Sequence, residues 1–269
     1  MTNIHPSAVV DQSARLAGDV TVGPNCFVSR GVEIDAGTRL DASVVIGEGV
    51  KIGRDNHFFP CCVIGSCPQV LALGADARIG RLVIGDRNVI REQVTIHPSM
   101  HEDKQTALGN DNFLMVGVHI GHDCTLEDKI VMSNYVQIGG HCRIEAGAWL
   151  SGLAGAHQFV TIGKWSYIAG LAGVTKDIPP FLTVSGHYPL RVRGVNKRGM
   201  QRAGLTPEQQ SSVVGAYRKL YRQGGALLEN ARGMAQEDGL DENVKAILDA
   251  IDKSSRHQYG RYLETFRHR

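Results

Sequence analysis

The feature that most constrains the fold of this chain is an apolar residue at every sixth position. Eleven apolar residues in succession follow this spacing from Ile4 to Ile64, and twelve follow it from Leu108 to Val174. Since 42% of the residues are apolar, unbroken runs of this length are not a chance outcome. An α-helix repeats about every 3.6 residues, whereas a period of six is compatible with β-strand alternation. The chain is therefore predicted to be mainly β.

Hexapeptide repeats of this kind form a parallel β-helix, in which three hexads make one triangular coil of about 18 residues. The repeated apolar residue points into the prism, where successive coils bury each other's apolar faces. A short run from Ile84 to Ile96 brings the total to 26 hexads. Between eight and nine coils then extend over roughly 40 Å. The period does not determine the hand, although ordinary parallel crossovers are right-handed. We assign residues 1–180 to this prism.

Two segments interrupt the repeat, at residues 66–82 and 98–107. Insertions in a solenoid become loops that project from one face, and that face is commonly the binding face. The two loops are therefore candidates for the walls of a functional site.

The C-terminal part of the chain has a different pattern. Residues 181–204 are rich in Arg and Gly and are predicted to form an irregular, basic connector. Thr206, Pro207 and Gln209 then match the capping box and first-turn proline of a helix N-terminus. Further helices are predicted over residues 226–236 and 241–254. Residues 205–269 are assigned to a small α-helical domain.

Charge and cysteine usage exclude several functional classes. The chain has 29 basic and 27 acidic residues, so the net charge of +2 does not favour nucleic-acid binding. Six cysteines without a CxxC pair are typical of reduced thiols in a cytosolic protein. The N-terminal sequence lacks the pattern of a signal peptide, and no run of about 18 apolar residues predicts a membrane span. We expect a cytoplasmic protein, and the exposed flanks of a solenoid predict a homo-oligomer.

Four histidines lie on successive coils between residues 114 and 159. They are His119, His122, His141 and His157. Gly140 follows His122 by 18 residues, so it is predicted one coil further along, and the histidines are expected to line one strip of the prism. A neutral imidazole can accept a proton from a hydroxyl, and a backbone N–H at a glycine can face a developing oxyanion.

The sequence leaves two roles open for Asp123. Its carboxylate can hold the second nitrogen of His122, but adjacent strand residues point in opposite directions. The pair therefore forms only if the corner of the coil turns both side chains to the same side. A solvated carboxylate, or one that accepts from a corner amide, is an equal alternative. Three histidines on neighbouring coils can also bind Zn²⁺, as in γ-class carbonic anhydrases, which share the hexapeptide prism.

Several motifs resemble those of the UDP-N-acetylglucosamine O-acyltransferases of lipid A biosynthesis, a family of hexapeptide-repeat transferases. The resemblance covers essentially the whole chain and is carried by His-Ile-Gly-His-Asp-Cys at 119–124, the segment 84–97, Ala-His-Gln-Phe at 156–159 and Asp-Ile-Pro-Pro at 177–180. It implies a left-handed prism, a homotrimer, and catalysis that needs neither a metal nor an organic cofactor. The acyl donor would be acyl carrier protein.

The resemblance also implies roles for individual residues. His122 matches the general base that deprotonates the 3-hydroxyl of the glucosamine, which attacks a 3-hydroxyacyl thioester, and Gly140 matches the oxyanion donor. Gly170 matches a position that, when small, leaves a long acyl groove, so acyl chains above ten carbons are expected. The matches to residues that contact the nucleotide sugar and acyl chain are His119, His141, His157 and Gln158.

Two segments depart from the family pattern. The loop Pro-Gln-Asp-Leu-Lys-Tyr of the family is Pro-Gln-Val-Leu-Ala-Leu at 68–73, which keeps Gln69 and Leu71 as substrate-binding candidates but lacks the acid and the lysine. A 3-amino sugar or another nucleotide sugar therefore remains possible as acceptor, as does a non-catalytic scaffold. The connector carries the densest basic cluster, a candidate docking surface for the acidic acyl carrier protein. Its members are Arg191, Arg193, Lys197, Arg198 and Arg202.

Overall fold

The structure, a computed structural model, describes residues 2–74 and 77–267. Its first 26 strands follow the hexads. The first nine are β1 Asn3–Ile4, β2 Val9–Val10, β3 Arg15–Leu16, β4 Thr21–Val22, β5 Phe27–Val28, β6 Glu33–Ile34, β7 Arg39–Leu40, β8 Val45–Ile46 and β9 Lys51–Ile52. The next nine are β10 His57–Phe58, β11 Val63–Ile64, β12 Arg81–Ile84, β13 Val89–Ile90, β14 Thr95–Ile96, β15 Gln105–Leu108, β16 Phe113–Leu114, β17 His119–Ile120 and β18 Thr125–Leu126. The last eight are β19 Val131–Met132, β20 Gln137–Ile138, β21 Arg143–Ile144, β22 Trp149–Leu150, β23 Gly155–Ala156, β24 Thr161–Ile162, β25 Tyr167–Ile168 and β26 Gly173–Val174.

Every third strand belongs to the same parallel sheet, so the chain winds around a prism with three faces. Asn3 pairs with Thr21 and Val28 with Ile46, a register of 18 residues per coil. In nearly every strand the second residue is buried, whereas its neighbour is half-buried or exposed. The predicted six-residue repeat and parallel β-helix are thereby confirmed.

The corners of the prism have a recurrent backbone conformation. In the described part of the chain, sixteen non-glycine residues have φ between 54° and 66°, and each is the third residue after an inward-pointing apolar residue. Asp123 and His141 are two of them, with φ of 58° and 60°. L-residues rarely adopt this left-handed conformation. It persists here because the coils above and below determine the path of the chain.

Both predicted insertions are present as breaks in the register. Ile52 pairs with Ile84 and Ile84 with Leu108, which are 32 and 24 residues apart instead of 18. The ends of the predicted loops are strand, however, because β12 and β15 extend to four residues and pair with each other. Ala75 and Asp76, inside the predicted 66–82 loop, lie outside the described residues, as do His268 and Arg269 at the end of the predicted helical domain.

The expectation of an irregular segment at 181–204 was wrong. β27 (Leu182–Ser185) adds to β25 in parallel, β28 (Arg191–Val195) pairs antiparallel with β27, and helix α1 spans Lys197–Arg202. Leu182 and Val184 are buried, so the inward spacing changes here from six residues to two. A four-residue strand with this period is too short a signal to stand out from a basic, glycine-containing segment.

Three α-helices and a short 3-10 helix follow. They are α2 (Pro207–Tyr221), α3 (Leu227–Met234), α4 (Glu242–Ser255) and the 3-10 helix Tyr262–Phe266. The capping box of Thr206 and Gln209 is present as predicted. The helices share an apolar cluster with Phe181 of the last coils. No helix in the described part of the chain is long and apolar enough to cross a membrane.

The C-terminal segment returns to the prism. The Tyr262 N–H donates to Asp177 Oδ2 at 2.8 Å, and Arg261 Nη1 donates to the Thr175 carbonyl at 2.9 Å. The Arg267 guanidinium then lies 5.6 Å from the ring centre of Phe159, at a corner of the prism. Arg267 is thereby brought beside Phe159, one coil beyond His141.

Close approach of coils makes one glycine a sensitive test of the stacking. A Cβ at Gly47 would lie 2.2 Å from the Gly65 carbonyl oxygen, which is backbone and cannot move alone. We expect Gly47→Ala to lower the free energy of unfolding by about 1–3 kcal/mol, measured by urea denaturation. Gly18→Ala is the control, since a Cβ at Gly18 meets no atom within 4 Å. Equal midpoints for both variants would contradict this packing.

Candidate active site

The central feature of the candidate site is a hydrogen-bonded pair, His122 and Asp123, at the corner that follows β17. His122 is buried, and its Nδ1 lies 2.6 Å from Asp123 Oδ2. The left-handed conformation of Asp123 turns its side chain to the same side as that of its neighbour. The condition for pairing that the sequence left open is therefore met. A carboxylate only accepts, so Nδ1 carries the proton and Nε2 presents its lone pair.

Asp123 is held by the second insertion. Ser99 Oγ donates to Asp123 Oδ1, the Met100 N–H donates to Oδ2 at 3.3 Å, and the Asp123 N–H donates to Thr106 Oγ1 at 2.8 Å. Burial alone would raise the pKa of this carboxyl, but the hydrogen bonds from His122 and Ser99 outweigh it and lower the pKa to about 2. Asp123 is thus a buried anion that fixes the orientation of His122.

Gly140 lies directly against the free edge of His122. A Cβ at Gly140 would be 2.6 Å from His122 Nε2, so any larger residue would displace the imidazole. Among the described residues, the Gly140 N–H has no hydrogen-bond acceptor and His122 Nε2 has no partner. The predicted register of one coil between His122 and Gly140 is present, because Ile120 pairs with Ile138. The proton acceptor His122 Nε2 and the Gly140 N–H donor therefore lie next to each other.

His141 packs beside this pair. Its ring meets that of His122 edge-on, with centres 4.9 Å apart, and stacks on Phe159 at 4.5 Å. Its Nε2 is 3.9 Å from Asp123 Oδ2. Burial lowers the pKa of His141 to about 4, although the charge of Asp123 acts in the opposite direction. His141 is therefore a neutral ring at pH 7.

His119 lies on the outer face of β17, beside a histidine that the sequence analysis did not select. His119 Nδ1 is 2.9 Å from Thr95 Oγ1, and its ring centre is 5.2 Å from that of His97. His97 Nδ1 donates to the carbonyls of Ser66 and Cys67 at 2.9 and 3.0 Å, which ties the first insertion to β14. Burial, with added repulsion from His97 and His122, lowers the pKa of His119 to about 4.

A cavity of about 510 Å³ opens at the His122 corner. The first insertion, the second insertion, the corners of the prism and the chain end all contribute to its wall. The lining residues are Gln69, Val70, Leu71, Ala72, Met100, His101, His122, His141, Gln158, Phe159 and Arg267. The structure thus brings together Gln69, Leu71, Gln158 and His141 around His122.

Other predicted residues lie elsewhere. His157 is exposed at the next corner, with Nδ1 donating to the Gln158 carbonyl at 3.1 Å. Gly170 is at a different corner, between the first and second sheets. The exposed Arg191 of β28 and the exposed Lys197 and Arg198 of α1 do not line the described cavity.

The three-histidine zinc site considered from the sequence does not assemble. Among the described residues, the one group of three metal-ligand side chains with mutually close donor atoms is His101, Asp123 and His141. His101 was not selected from the sequence. It lies in the second insertion, where the hexad register no longer indicates the position of a side chain, and no sequence signal identified it.

Protonation of the half-buried His119 should couple stability to pH. An imidazole in the unfolded chain has a pKa near 6.5, so between pH 6.5 and 4 the unfolded state binds more protons than the folded state. The stabilising contribution of His119 is then fully present above about pH 6.5 and is lost as the pH falls towards 4. We expect the melting temperature to fall less between pH 7 and pH 5 in His119→Gln than in the wild type.

The pH dependence of the melting temperature must be compared between variant and wild type, because protonation of Asp177 changes stability in the opposite direction. Burial raises the pKa of Asp177 to about 6, so its contribution to stability increases as the pH falls. His5→Gln, at an exposed position, serves as the control. If His119→Gln and His5→Gln showed the same dependence on pH as the wild type, the lowered pKa of His119 in the folded protein would be refuted.

Comparisons with known proteins agree with this geometry. A protein-family model described as UDP N-acetylglucosamine O-acyltransferase, domain 2, matches residues 177–259. The acyl-[acyl-carrier-protein]--UDP-N-acetylglucosamine O-acyltransferase of Janthinobacterium sp. (strain Marseille) is 38% identical over 239 residues, covering 88% of this chain and 90% of that protein. The protein of the same name from Paraburkholderia phymatum is 37% identical, covering 95% and 98%.

Solved structures show the same fold. The UDP-N-acetylglucosamine acyltransferase of Bacteroides fragilis superposes with a TM-score of 0.87 at 31% identity, covering 93% of this chain and 96% of that one. That of Francisella novicida gives a TM-score of 0.85 at 36% identity, with coverages of 93% and 91%. The predicted fold class, a left-handed parallel β-helix with C-terminal helices, is confirmed. With this identity over most of its length, the chain belongs to the UDP-N-acetylglucosamine O-acyltransferase family.

Proposed function

We propose that this protein transfers a 3-hydroxyacyl group from acyl carrier protein to the 3-hydroxyl of UDP-N-acetylglucosamine, the first step of lipid A biosynthesis. The observation that carries the proposal is the His122–Asp123 pair, whose free Nε2 lies against Gly140. The names of the relatives at 37–38% identity supply the substrates.

The geometry supports a mechanism with one base and one oxyanion donor. His122 Nε2 removes the proton of the sugar hydroxyl, while the Asp123 carboxylate stabilises the imidazolium that forms. The alkoxide oxygen attacks the thioester carbonyl, and the Gly140 N–H donates to the resulting oxyanion. Collapse breaks the C–S bond, completes the ester, and returns the proton from His122 to the departing thiolate. Each group that these steps require is supplied by the chain, without a metal or an organic cofactor.

The cavity beside His122 is the proposed sugar site. Gln69 and Gln158 offer amide donors and acceptors at its wall, and His141 offers a neutral ring. Leu71 is fully exposed at the edge, next to Val70 and Ala72. His119 and His157 flank the cavity from the neighbouring strand and corner. The apolar residues at 70 and 72 make the wall less polar than the family pattern, and this change bears on which sugar the site accepts.

Oligomerisation and carrier binding are proposed from surface features. Tyr135, Leu153 and Leu171 occupy one corner of three successive coils and are 49–69% exposed. Such an apolar ridge is a suitable contact between subunits, which supports the homotrimer.

The basic cluster at the connector is exposed, and neither β28 nor α1 contains an acidic residue that would neutralise it. We propose it as the docking surface for acyl carrier protein, in the reducing cytoplasm that six free cysteines favour.

A transfer assay read by mass spectrometry tests the function directly. UDP-N-acetylglucosamine and its 3-amino analogue are offered in parallel with 3-hydroxyacyl carrier proteins. We expect acylation of the 3-hydroxyl sugar, and a 10²–10⁴-fold lower rate for His122→Ala because the general base is lost. Gly140→Ala should also be inactive, because its methyl group would displace the imidazole.

The control variant changes a histidine outside the candidate site. His5→Ala removes an exposed histidine and should keep the wild-type rate. Near wild-type turnover by His122→Ala would show that another group is the base. Product from the 3-amino sugar alone would mean that the altered 68–73 loop has changed the acceptor. No product from either sugar would refute the proposal.

Gly170 is proposed as the residue that sets the acyl-chain length. It is exposed at its corner, and the atom nearest to an added Cβ is the Gly152 carbonyl oxygen, at 3.3 Å. A longer side chain would therefore extend outward, into the groove that we assign to the acyl chain. We expect Gly170→Met to shift the preferred donor to a shorter chain across a ladder of 3-hydroxyacyl carrier proteins. Gly18→Met is the control, and an unchanged preference in Gly170→Met would argue against this assignment.

A further inference from the structure

The side chains around Asp123 form a metal-ligand donor set that the proposed reaction does not require. His101 and His141 both approach Asp123, and one donor atom from each of the three residues lies within 4.8 Å of the others. The separation between His141 Nε2 and Asp123 Oδ2 is 3.9 Å. Two imidazoles and one carboxylate are a donor set that zinc accepts readily, with bonds of about 2.0–2.2 Å.

We propose that His101, Asp123 and His141 bind a divalent transition-metal ion of the zinc class. A tetrahedral ion holds its ligand atoms about 3.4 Å apart, so shifts of about 1 Å would close the site. The two histidines are only partly buried. A fourth position would remain open to water from the adjacent cavity of about 230 Å³.

The hydrogen-bonding pattern supports this assignment independently of the distances. Among the described residues, neither imidazole of His101 or His141 has a hydrogen-bond partner, although both rings approach a buried carboxylate. Backbone contacts hold them in place: the His101 N–H donates to Ser99 Oγ at 3.0 Å, and Ser99 Oγ donates to Asp123. The His141 N–H donates to the His122 carbonyl at 2.9 Å.

Charge around the cluster sets the expected strength of binding. A carboxylate is an anionic ligand, and an imidazole ligates through a nitrogen lone pair. Lys104, Arg143 and Arg267 line the same cavity and repel a cation. The affinity should therefore be lower than that of a structural zinc site, and binding should be reversible by chelators.

Binding at this site would affect the reaction through Asp123. The ion would share Oδ2 with the Nδ1–H of His122 and draw negative charge away from it. Its position beside His141 would also obstruct the cavity at the His122 corner. We therefore infer that the ion inhibits transfer; this consequence, unlike the binding itself, rests on the proposed function.

The test is a titration of the chelator-treated full chain with Co²⁺, followed by displacement with Zn²⁺. We expect visible Co²⁺ absorption bands that saturate at one ion per chain, and a Zn²⁺ affinity at least about tenfold lower in His101→Ala. His157→Ala is the matched control, because it removes a neighbouring histidine outside the cluster and should keep the affinity. His141→Ala, checked for folding by circular dichroism, should behave like His101→Ala.

The outcomes distinguish this inference from the proposed function. Absence of Co²⁺ bands, or equal Zn²⁺ affinity in the wild type and His101→Ala, would overturn the site even if transfer is observed. Stoichiometric binding lost in His101→Ala, in a protein without transferase activity, would support the site while the proposed function fails. Where transfer is observed, Zn²⁺ should inhibit the wild type more strongly than His101→Ala, and EDTA should restore the rate.

Discussion

The whole structure depends on the burial of one apolar residue per hexad between stacked coils. Because the coil must turn after each two-residue strand, the chain adopts a left-handed backbone conformation at corner after corner, mostly at residues other than glycine. Isolated residues avoid this conformation, but hydrogen bonds to the coils on both sides fix it here. The same corner places the side chains of His122 and Asp123 on one side. The chemistry of the candidate site is therefore a direct product of the way in which the prism is closed.

Electrostatics at the site follow from partial burial around a single anion. Desolvation keeps His119 and His141 uncharged near neutral pH, whereas hydrogen bonds from His122 and Ser99 keep Asp123 ionised. The neighbouring rings therefore do not compete with His122 for the carboxylate as charged partners. His122 Nδ1 therefore keeps its hydrogen bond to Asp123 Oδ2. The orientation of His122 also depends on the second insertion, because Ser99 holds the other carboxylate oxygen, Oδ1.

Local and periodic signals predicted much of this structure. The six-residue repeat gave the coils and their register, and the register alone placed Gly140 one coil from His122. The capping box at Thr206 marked the start of α2. Prediction failed where periodicity ends: β27 and β28 are too short to show a pattern within a basic segment, His97 borders the second insertion, and His101 lies inside it. The contact of Arg267 with Phe159 depends on how the helices pack against the last coils, which no local pattern encodes.

The separation of the insertions from the prism has a consequence for how such proteins diversify. Each insertion leaves one coil and re-enters the next in the same inward register, so its length and composition do not disturb the stacked core. Residues 70–72 line the cavity without supporting a coil, whereas His122 and Gly140 belong to the coils themselves. Substitutions in the loop can therefore accumulate without loss of folding, while the reacting groups keep their positions. Acceptor preference and catalytic machinery are then free to evolve at different rates within one scaffold.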